Sequence, residues 1–385
     1  MTRAESKFTS VEICAGAGGQ AVGLHKAGFK HLALIELDKN ACETLKLNVE
    51  GNHEWEGCKV LNEDLTQFDP KSLGLEPGEL DLLAGGVPCP PFSAAGKQLG
   101  PDDERDLFPT MLDMIDVLQP KAVMIENVRG LLEPPEKFRQ YREEVILHRL
   151  KEAEYVPCYW KVLEACDYGV PQLRPRAILV AMRAEYAQHF AWTEPPSGQL
   201  VTVAKALGPS MRKRFKESGR PDWEKFYKDW LREADKGVAP TLVGGSKKHG
   251  GADLGPTRAK KAWGKLGVCG LGVADEPEKM TNPSRDLFAD AGPKLTVKQA
   301  ATIQGFPEEW KFFGRKTAAY RQVGNAFPPP VAQAVGEQII AALEKGPKKT
   351  ESVESEALFD LPAPSAPLGP ELADRSGDLE GAGVR

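Results

Sequence analysis

Long apolar runs are missing from this sequence. Nothing in its 385 residues approaches the roughly 18 consecutive apolar positions a membrane-spanning helix needs, so no membrane partner is expected. The opening Met1-Thr2-Arg3-Ala4-Glu5-Ser6-Lys7 has no apolar segment behind it, and no signal peptide is expected. Cysteine is sparse: seven residues, an odd number, scattered, with no Cys-x-x-Cys pair. That argues against a disulfide framework and a zinc site and for reduced thiols, as in a cytoplasm; no metal is expected. The net charge of −5 is unremarkable and decides nothing by itself. What is present is an ordinary globular composition, 41% hydrophobic, in a chain long enough for two domains.

The segment that organises the rest is Gly85-Gly86-Val87-Pro88-Cys89-Pro90-Pro91-Phe92-Ser93. It follows the apolar run Leu80-Asp81-Leu82-Leu83-Ala84, which reads as a buried strand. Two glycines and three prolines then exclude both helix and sheet. The thiol of Cys89 is left at the edge of a sheet, where open α/β folds bind ligands. It is either a nucleophile or a buried structural cysteine.

Nearer the start, the predicted strand Phe8 to Ile13 runs into Cys14-Ala15-Gly16-Ala17-Gly18-Gly19 and then a helical pattern. Glycines let backbone amides approach a ligand at the positive end of a helix. A second strand ends in Glu36, seventeen residues after Gly19, where an acid binds ribose hydroxyls. Together these point to an adenosine-type cofactor in a doubly wound sheet; the turn alone could be structural. Asp64 could accept from an adenine amino group or be an ordinary loop residue. The segment from Ser93 to Asp106 reads as a mobile loop, and Leu107, Met111, Ile115 and Leu118 mark the following helix. The strand Ala122 to Ile125 ends in Glu126-Asn127-Val128, on the same sheet edge as Cys89. Arg174 and Arg176 alternate at the start of another strand, so they should point the same way, toward a phosphate or base carbonyl or simply into solvent.

Composition changes after Met182. Between Lys205 and Lys265 sixteen basic residues face seven acidic ones, interleaved with Trp223, Phe226, Tyr227, Trp230 and Trp263. This suits a nucleic-acid backbone or a solvated face and marks a smaller, separate domain. Beyond Gly346, eight acids against four bases in a Pro- and Gly-rich stretch read as a disordered tail. The expected division is 1–190 for a catalytic and cofactor-binding core, 191–292 for the small domain, 293–345 returning to complete the core, and 346–385 for the tail.

These pieces, in this order, resemble the DNA (cytosine-5) methyltransferases. The resemblance rests on Ala15-Gly16-Ala17-Gly18-Gly19, Glu36, Asp64, Pro88-Cys89, Glu126-Asn127-Val128, Gln172-Leu173-Arg174-Pro175-Arg176, Leu295-Thr296, Gln304-Gly305-Phe306-Pro307 and Gly324-Asn325-Ala326. It covers about 1–190 and 293–343, and the basic insert fills the slot of the family's target recognition domain, with Thr241-Leu242 in place of the family's Thr-Leu pair. Three departures stand out: Cys14 where the family usually has Phe, Pro90 where it has Gln, and Lys294 where Arg is frequent.

The resemblance implies a Rossmann-like α/β core that uses S-adenosyl-L-methionine and no metal. It implies catalytic roles for Cys89, Glu126, Arg174 and Arg176. Cofactor contacts would fall to Ala15, Gly16, Ala17, Gly18, Gly19, Glu36, Asp64, Leu107 and Asn325, and DNA contacts to Ser93, Gln172, Thr241 and Leu242. The expected partner is double-stranded DNA, with a cognate restriction endonuclease acting independently. A monomer in the cytoplasm, at the nucleoid through its DNA, fits one recognition insert per core. The alternatives are a tRNA cytosine-5 methyltransferase, a catalytically silent DNA-binding relative, and an NAD-type oxidoreductase.

Overall fold

The computed structural model describes residues 8–88, 106–195, 198, 200–244 and 252–347. They fall into two compact units: 1–163, 175–194 and 331–385 form the first, 164–174 and 195–330 the second.

The first unit is a seven-stranded sheet in the order β3-β2-β1-β4-β5-β7-β6. Its strands are β1 (Phe8–Ile13), β2 (Phe29–Ile35), β3 (Lys59–Leu61), β4 (Leu82–Gly86), β5 (Ala122–Val128), β6 (Tyr155–Glu164) and β7 (Pro175–Arg183). Strands β1 to β5 pair in parallel, and β7 runs antiparallel to β5. The parallel strands are almost continuously apolar because both faces are covered. Val11 and Ile13 of β1 join a core cluster with Met111 and Ile115 of α3 (Phe108–Leu118). On the opposite face Ser10 Oγ meets His31 Nδ1 at 3.0 Å, and His31 Nε2 donates to the Ala21 carbonyl of α1 (Gly19–Ala27) at 3.0 Å. Helices therefore cover both faces. The strand order reverses between β1 and β4, the switch point at which ligands bind in such sheets.

Local signals explain the element ends. Asp38 caps α2 (Lys39–Val49), accepting from the Asn40 and Ala41 amides. Gly18, at φ 85°, turns the chain into α1. Beyond α3 comes a π-helical stretch, Tyr141–Leu147, then α4 (His148–Glu152) and α5 (Ala184–Ala187).

The second unit holds α6 (Val203–Glu217), α7 (Trp223–Ala234), α8 (Thr257–Lys265), α9 (Pro283–Asp286), α10 (Val297–Gln304) and α11 (Lys316–Asn325). Thr296 and Gln299 form a capping box at the start of α10. The buried Arg214 of α6 donates to Gln299 Oε1 at 2.6 Å and to the Lys294 carbonyl at 2.8 Å. That bonding corrects the expected boundary: 293–330 packs with the helices of the insert, and the return to the first unit begins only at Val331, within α12 (Pro329–Leu343). No helix among the described residues is long and apolar enough to cross a membrane.

Candidate active site

Sheet register brings the catalytic candidates together. In the β5–β7 pairing Glu126 stands opposite Ile178 and Val128 opposite Arg176. Glu126 and Arg176 are thus diagonal neighbours on one face, and Arg176 Nε lies 2.7 Å from Glu126 Oε1. Both side chains are about 15% exposed, 15% for Glu126 and 16% for Arg176, so the pair is largely shielded yet reachable. On the other side of β5, Gly86 of β4 pairs with Glu126; contrary to the expectation that the glycines end the sheet, Gly85 and Gly86 are the last residues of the strand, because glycine leaves room for its close-packed neighbours. A Cβ on Gly86 would lie 2.8 Å from Glu126 Oε2, and one on Gly85 would lie 2.5 Å from Ile13 Cγ1. The paired glycines are therefore needed for close strand and carboxylate approach.

Beyond β4 the chain is fixed from two directions. Asn127 Nδ2 donates to the Val87 carbonyl at 3.0 Å, and the Leu107 amide donates to the Pro88 carbonyl at 3.4 Å. Asp106 accepts from the Phe108 amide at 3.0 Å and from the Tyr141 hydroxyl. Cys89 and Ser93, with the loop expected up to Asp106, lie outside the described residues, as does most of the acidic tail. Asn127 was quoted from sequence within Glu126-Asn127-Val128 but given no role of its own; its position next to Glu126, facing the other way in the strand, was the available signal.

The glycine turn and Glu36 are joined directly. The Gly16 amide donates to Glu36 Oε2 and the Asp38 amide to Oε1, both at 2.7 Å. The Ala15 amide bonds the Ile35 carbonyl at 3.1 Å, and Gly18 bonds the Ala15 carbonyl at 2.9 Å, folding Ala17 and Gly19 into the turn. Gly16 has φ 55°, and nothing lies within 4 Å of where its Cβ would be, so this backbone is open to approach. Burial raises the Glu36 pKa, against the lowering effect of the two amides. Cys14, at φ 51°, is half-buried, and its thiol is pushed up to about 12 by desolvation and then by Glu36. Asn62, not foreseen, donates to the Glu36 and Leu37 carbonyls at 2.9 and 3.0 Å, while Leu37 is 62% exposed beside the carboxylate. Asp64 is exposed and accepts from the Thr66 amide and hydroxyl at 3.0 and 2.8 Å.

In the second unit two of the residues expected at DNA, Gln172 and Leu242, lie inside, and Thr241 is half-buried. Gln172 and Leu242 are 0% and 1% exposed, and they bond each other rather than presenting atoms to a duplex. Thr241 donates from its hydroxyl to the Leu173 carbonyl at 2.6 Å. Arg174 precedes β7 instead of alternating with Arg176 along it; its guanidinium donates to the Leu242 and Gly324 carbonyls at 2.8 and 3.0 Å. Arg174 thus holds backbone carbonyls, and Arg176 the Glu126 carboxylate and the Pro175 carbonyl. Asn325 ends α11, packed so closely on Gly244 that a Cβ there would collide with its Oδ1.

The family model described as C-5 cytosine-specific DNA methylase matches residues 8–341. The chain belongs to this family. As a C-5 cytosine-specific DNA methylase it methylates carbon 5 of cytosine in DNA, and the methyl donor of the family is S-adenosylmethionine. The chain is 50% identical over 349 residues to the Type II methyltransferase M.NaeI of Lentzea aerocolonigenes, covering 90% of this chain and 78% of that one. It is 47% identical over 344 residues to M.NgoMIV of Neisseria gonorrhoeae, covering 88% and 99%. Among solved structures, the Entamoeba histolytica methyltransferase EhMeth superposes with a TM-score of 0.56 at 16% identity, covering 86% of this chain and 98% of its own. Spodoptera frugiperda DNMT2 gives 0.54 at 16%, covering 87% and 100%. At those identities the structural likeness speaks for the fold. Within the methylase, the turn after β1 and Glu126 of the Glu126–Arg176 pair lie toward the carboxyl ends of β1 and β5, with the glycines of β4 between them.

Proposed function

We propose that this methylase acts on a cytosine rotated out of duplex DNA, through a covalent bond between Cys89 and carbon 6 of the ring. The observation that carries the reading is the Glu126–Arg176 pair, held on the strand beside the one that runs into Pro88-Cys89. Carbon 5 of cytosine is a weak nucleophile. Addition of the Cys89 thiolate at carbon 6 converts the ring to an enamine and moves electron density to carbon 5. A free thiol titrates near ~8.5, so its surroundings must favour the thiolate. Glu126 holds the ring nitrogen and exocyclic amine, and Arg176 the base carbonyl, offsetting charge as the adduct forms. After methylation a base removes the proton at carbon 5 and Cys89 leaves.

The cofactor residues fit this chemistry. Glu36 keeps lone pairs for ribose hydroxyls beyond the two amides it accepts, Asp64 suits the adenine amino group, and the turn from Gly16 to Gly19 leads into the positive end of α1. When bound, S-adenosylmethionine supplies an electrophilic methyl group. Leu37 offers an apolar surface beside Glu36.

The target base is unreachable while stacked, so it is flipped at a cost of a few kcal/mol. The cleft of about 750 Å³ along α6 and α7, lined by Arg212, Lys213 and Lys216, suits the phosphates. The resemblance to Type II methyltransferases supports a role as the modification half of a restriction–modification pair, with the endonuclease acting separately. A cytoplasmic monomer at the nucleoid fits that role.

The test is a duplex carrying 5-fluorocytosine in its target site, incubated with S-adenosylmethionine. Fluorine cannot leave as the proton does, so the adduct should persist, and peptide mapping should find it on Cys89. Cys89→Ser should trap nothing. An adduct on another residue, or none on any DNA the protein methylates, ends the covalent reading.

A further inference from the structure

Tyr141 opens the π-helical stretch Tyr141–Leu147, and this stretch is firmly seated: Ile146 within it and Leu150 of α4 are both 0% exposed. Its first two residues each hold another segment of the first unit. The Tyr141 hydroxyl donates to Asp106 Oδ2, and its ring, 7% exposed, meets the buried Phe108 edge-on at a centroid distance of 6.1 Å. Arg142 donates from Nη1 to the Leu131 carbonyl at 2.8 Å and from Nη2 to the Pro135 carbonyl, so the same turn also holds the chain that leaves β5. Turns of π-helix are rare and recur at functional sites.

The start of α3 depends on Asp106. Its second carboxylate oxygen, Oδ1, accepts from the Phe108 amide at 3.0 Å, while Leu107, at the helix boundary, has no side-chain atom that could cap. With one oxygen on Tyr141 and the other on Phe108, the carboxylate fixes the backbone of the leucine between them. The Leu107 amide donates to the Pro88 carbonyl at 3.4 Å, and its carbonyl accepts from the Met111 amide at 3.0 Å. Pro88 follows β4, the neighbour of β1, so Leu107 stands at the carboxyl edge of the sheet where the strand order reverses. Leu107 and Cys14, the first residue after β1, both pack on the same core cluster and both remain partly exposed. An apolar side chain cannot fix itself on a ligand by hydrogen bonds; its backbone must place it.

We infer that Tyr141 is a positioning residue for the cofactor. Acting through Asp106, it holds Leu107 at the sheet edge that also carries the turn after β1, without itself touching S-adenosylmethionine. The inference rests on the reading of Leu107 and that turn as cofactor contacts. Loss of the hydroxyl leaves the carboxylate free to turn, and the ordering of Leu107 must then be supplied when the cofactor binds, which weakens binding.

The test uses the full chain with Tyr141→Phe, which removes the hydroxyl and keeps the ring on Phe108, with Asp106→Ala, which removes the carboxylate, and with both together. Three readings are taken: the Kd of S-adenosylmethionine by titration calorimetry, hydrogen exchange at the Phe108 amide, and KM for the cofactor and kcat on a methylated duplex site. For Tyr141→Phe, Kd and KM should rise about fivefold while kcat at saturating cofactor stays within about twofold. Exchange at Phe108 should accelerate about fivefold or more. Asp106→Ala should weaken binding further, and adding Tyr141→Phe to it should change Kd by less than about twofold. An unchanged Kd in Tyr141→Phe overturns the inference even where exchange is faster. Additive losses in the double variant overturn it too, as does a fall in kcat with binding intact. If Asp106→Ala does not fold, Tyr141→Phe decides by binding and exchange. An unmodified protein that binds no S-adenosylmethionine overturns the cofactor reading and this inference with it, whereas native and Tyr141→Phe proteins that bind it equally well overturn the inference alone.

Discussion

Glu126 has one carboxylate oxygen on the Arg176 guanidinium and the other above Gly86, which stands beside it in the parallel register. Each neighbour constrains the carboxylate differently. A methyl group at Gly86 would arrive 2.8 Å from Oε2, closer than real Cβ contacts come, and the yielding atom would be the carboxylate. Its displacement loosens the 2.7 Å ion pair and moves the group that holds the base. Gly86→Ala should therefore lower kcat/KM by about tenfold or more, since misplacement of about 1 Å at a reacting group has effects of that order. The fold should be nearly untouched, because the clash is with one mobile side-chain end. Glu126→Gln keeps the shape but loses the charge and should fall further, by about a hundredfold or more. Tritiated methyl transfer measured beside thermal unfolding separates the two effects. A Gly86→Ala protein with full activity would show that the carboxylate is free to relocate.

At the scale of elements, α6 carries the charge argument. Arg212, Lys213 and Lys216 line the cleft along α6 and α7, and only Glu217 among the lining residues opposes them. Lys213 lies 4.0 Å from Glu217, a distance at which an exposed pair contributes little. If the cleft follows a DNA backbone, each cation displaces about one counterion. Replacing all three by Ala should then reduce the slope of log binding constant against log salt by about 2 to 3, with little change in sequence preference. Fluorescence anisotropy with a labelled duplex over a salt series reads this directly, and an unchanged slope would mean the cleft faces solvent when DNA is bound. The basic character of this insert was legible in the sequence, as were the β1 turn, Glu36 and Glu126, because each depends on local pattern: strand, glycine and then a polar residue at a strand end. What was not legible depends on contacts between distant segments. Gln172 and Arg174 belong to a motif that the sequence offered as contacts to DNA and base, yet they are spent on Leu242, Gln304 and Gly324, residues 68 to 150 positions away. Likewise the pull of 293–330 into the second unit follows from the bonding of Arg214 to Gln299, which no periodicity announces.

For the whole molecule, two buried titratable groups on one face of the sheet set how stability varies with pH. Glu12 is buried with Oε2 lacking a hydrogen-bond partner among the described residues, and burial, aided by Glu36, raises its pKa well above the usual carboxylate range. His31 is buried too, and its pKa is lowered to about 3 by burial and then by His25. Its Nε2 must carry the proton, since the Ala21 carbonyl can only accept. The signs oppose. Above about pH 4.5 the unfolded chain releases the Glu12 proton while the folded protein keeps it, so stability falls as pH rises, by about 1.4 kcal/mol per unit until the raised pKa is passed. Below about pH 6.5 the unfolded chain protonates His31 while the folded protein does not, so stability falls as pH drops, down to about pH 3. From about pH 4.5 upward the two contributions oppose each other, until the raised Glu12 pKa is passed or, at about 6.5, the His31 contribution ends. Glu12→Gln removes the Glu12 contribution and leaves that of His31, so the variant should gain on the native protein as pH is raised above about 4.5, until the raised Glu12 pKa is passed. Denaturant unfolding at pH 5.5, 6.5, 7.5 and 8.5 measures that gap, and a gap that stayed constant across the series would mean that Glu12 is ionised in the folded protein.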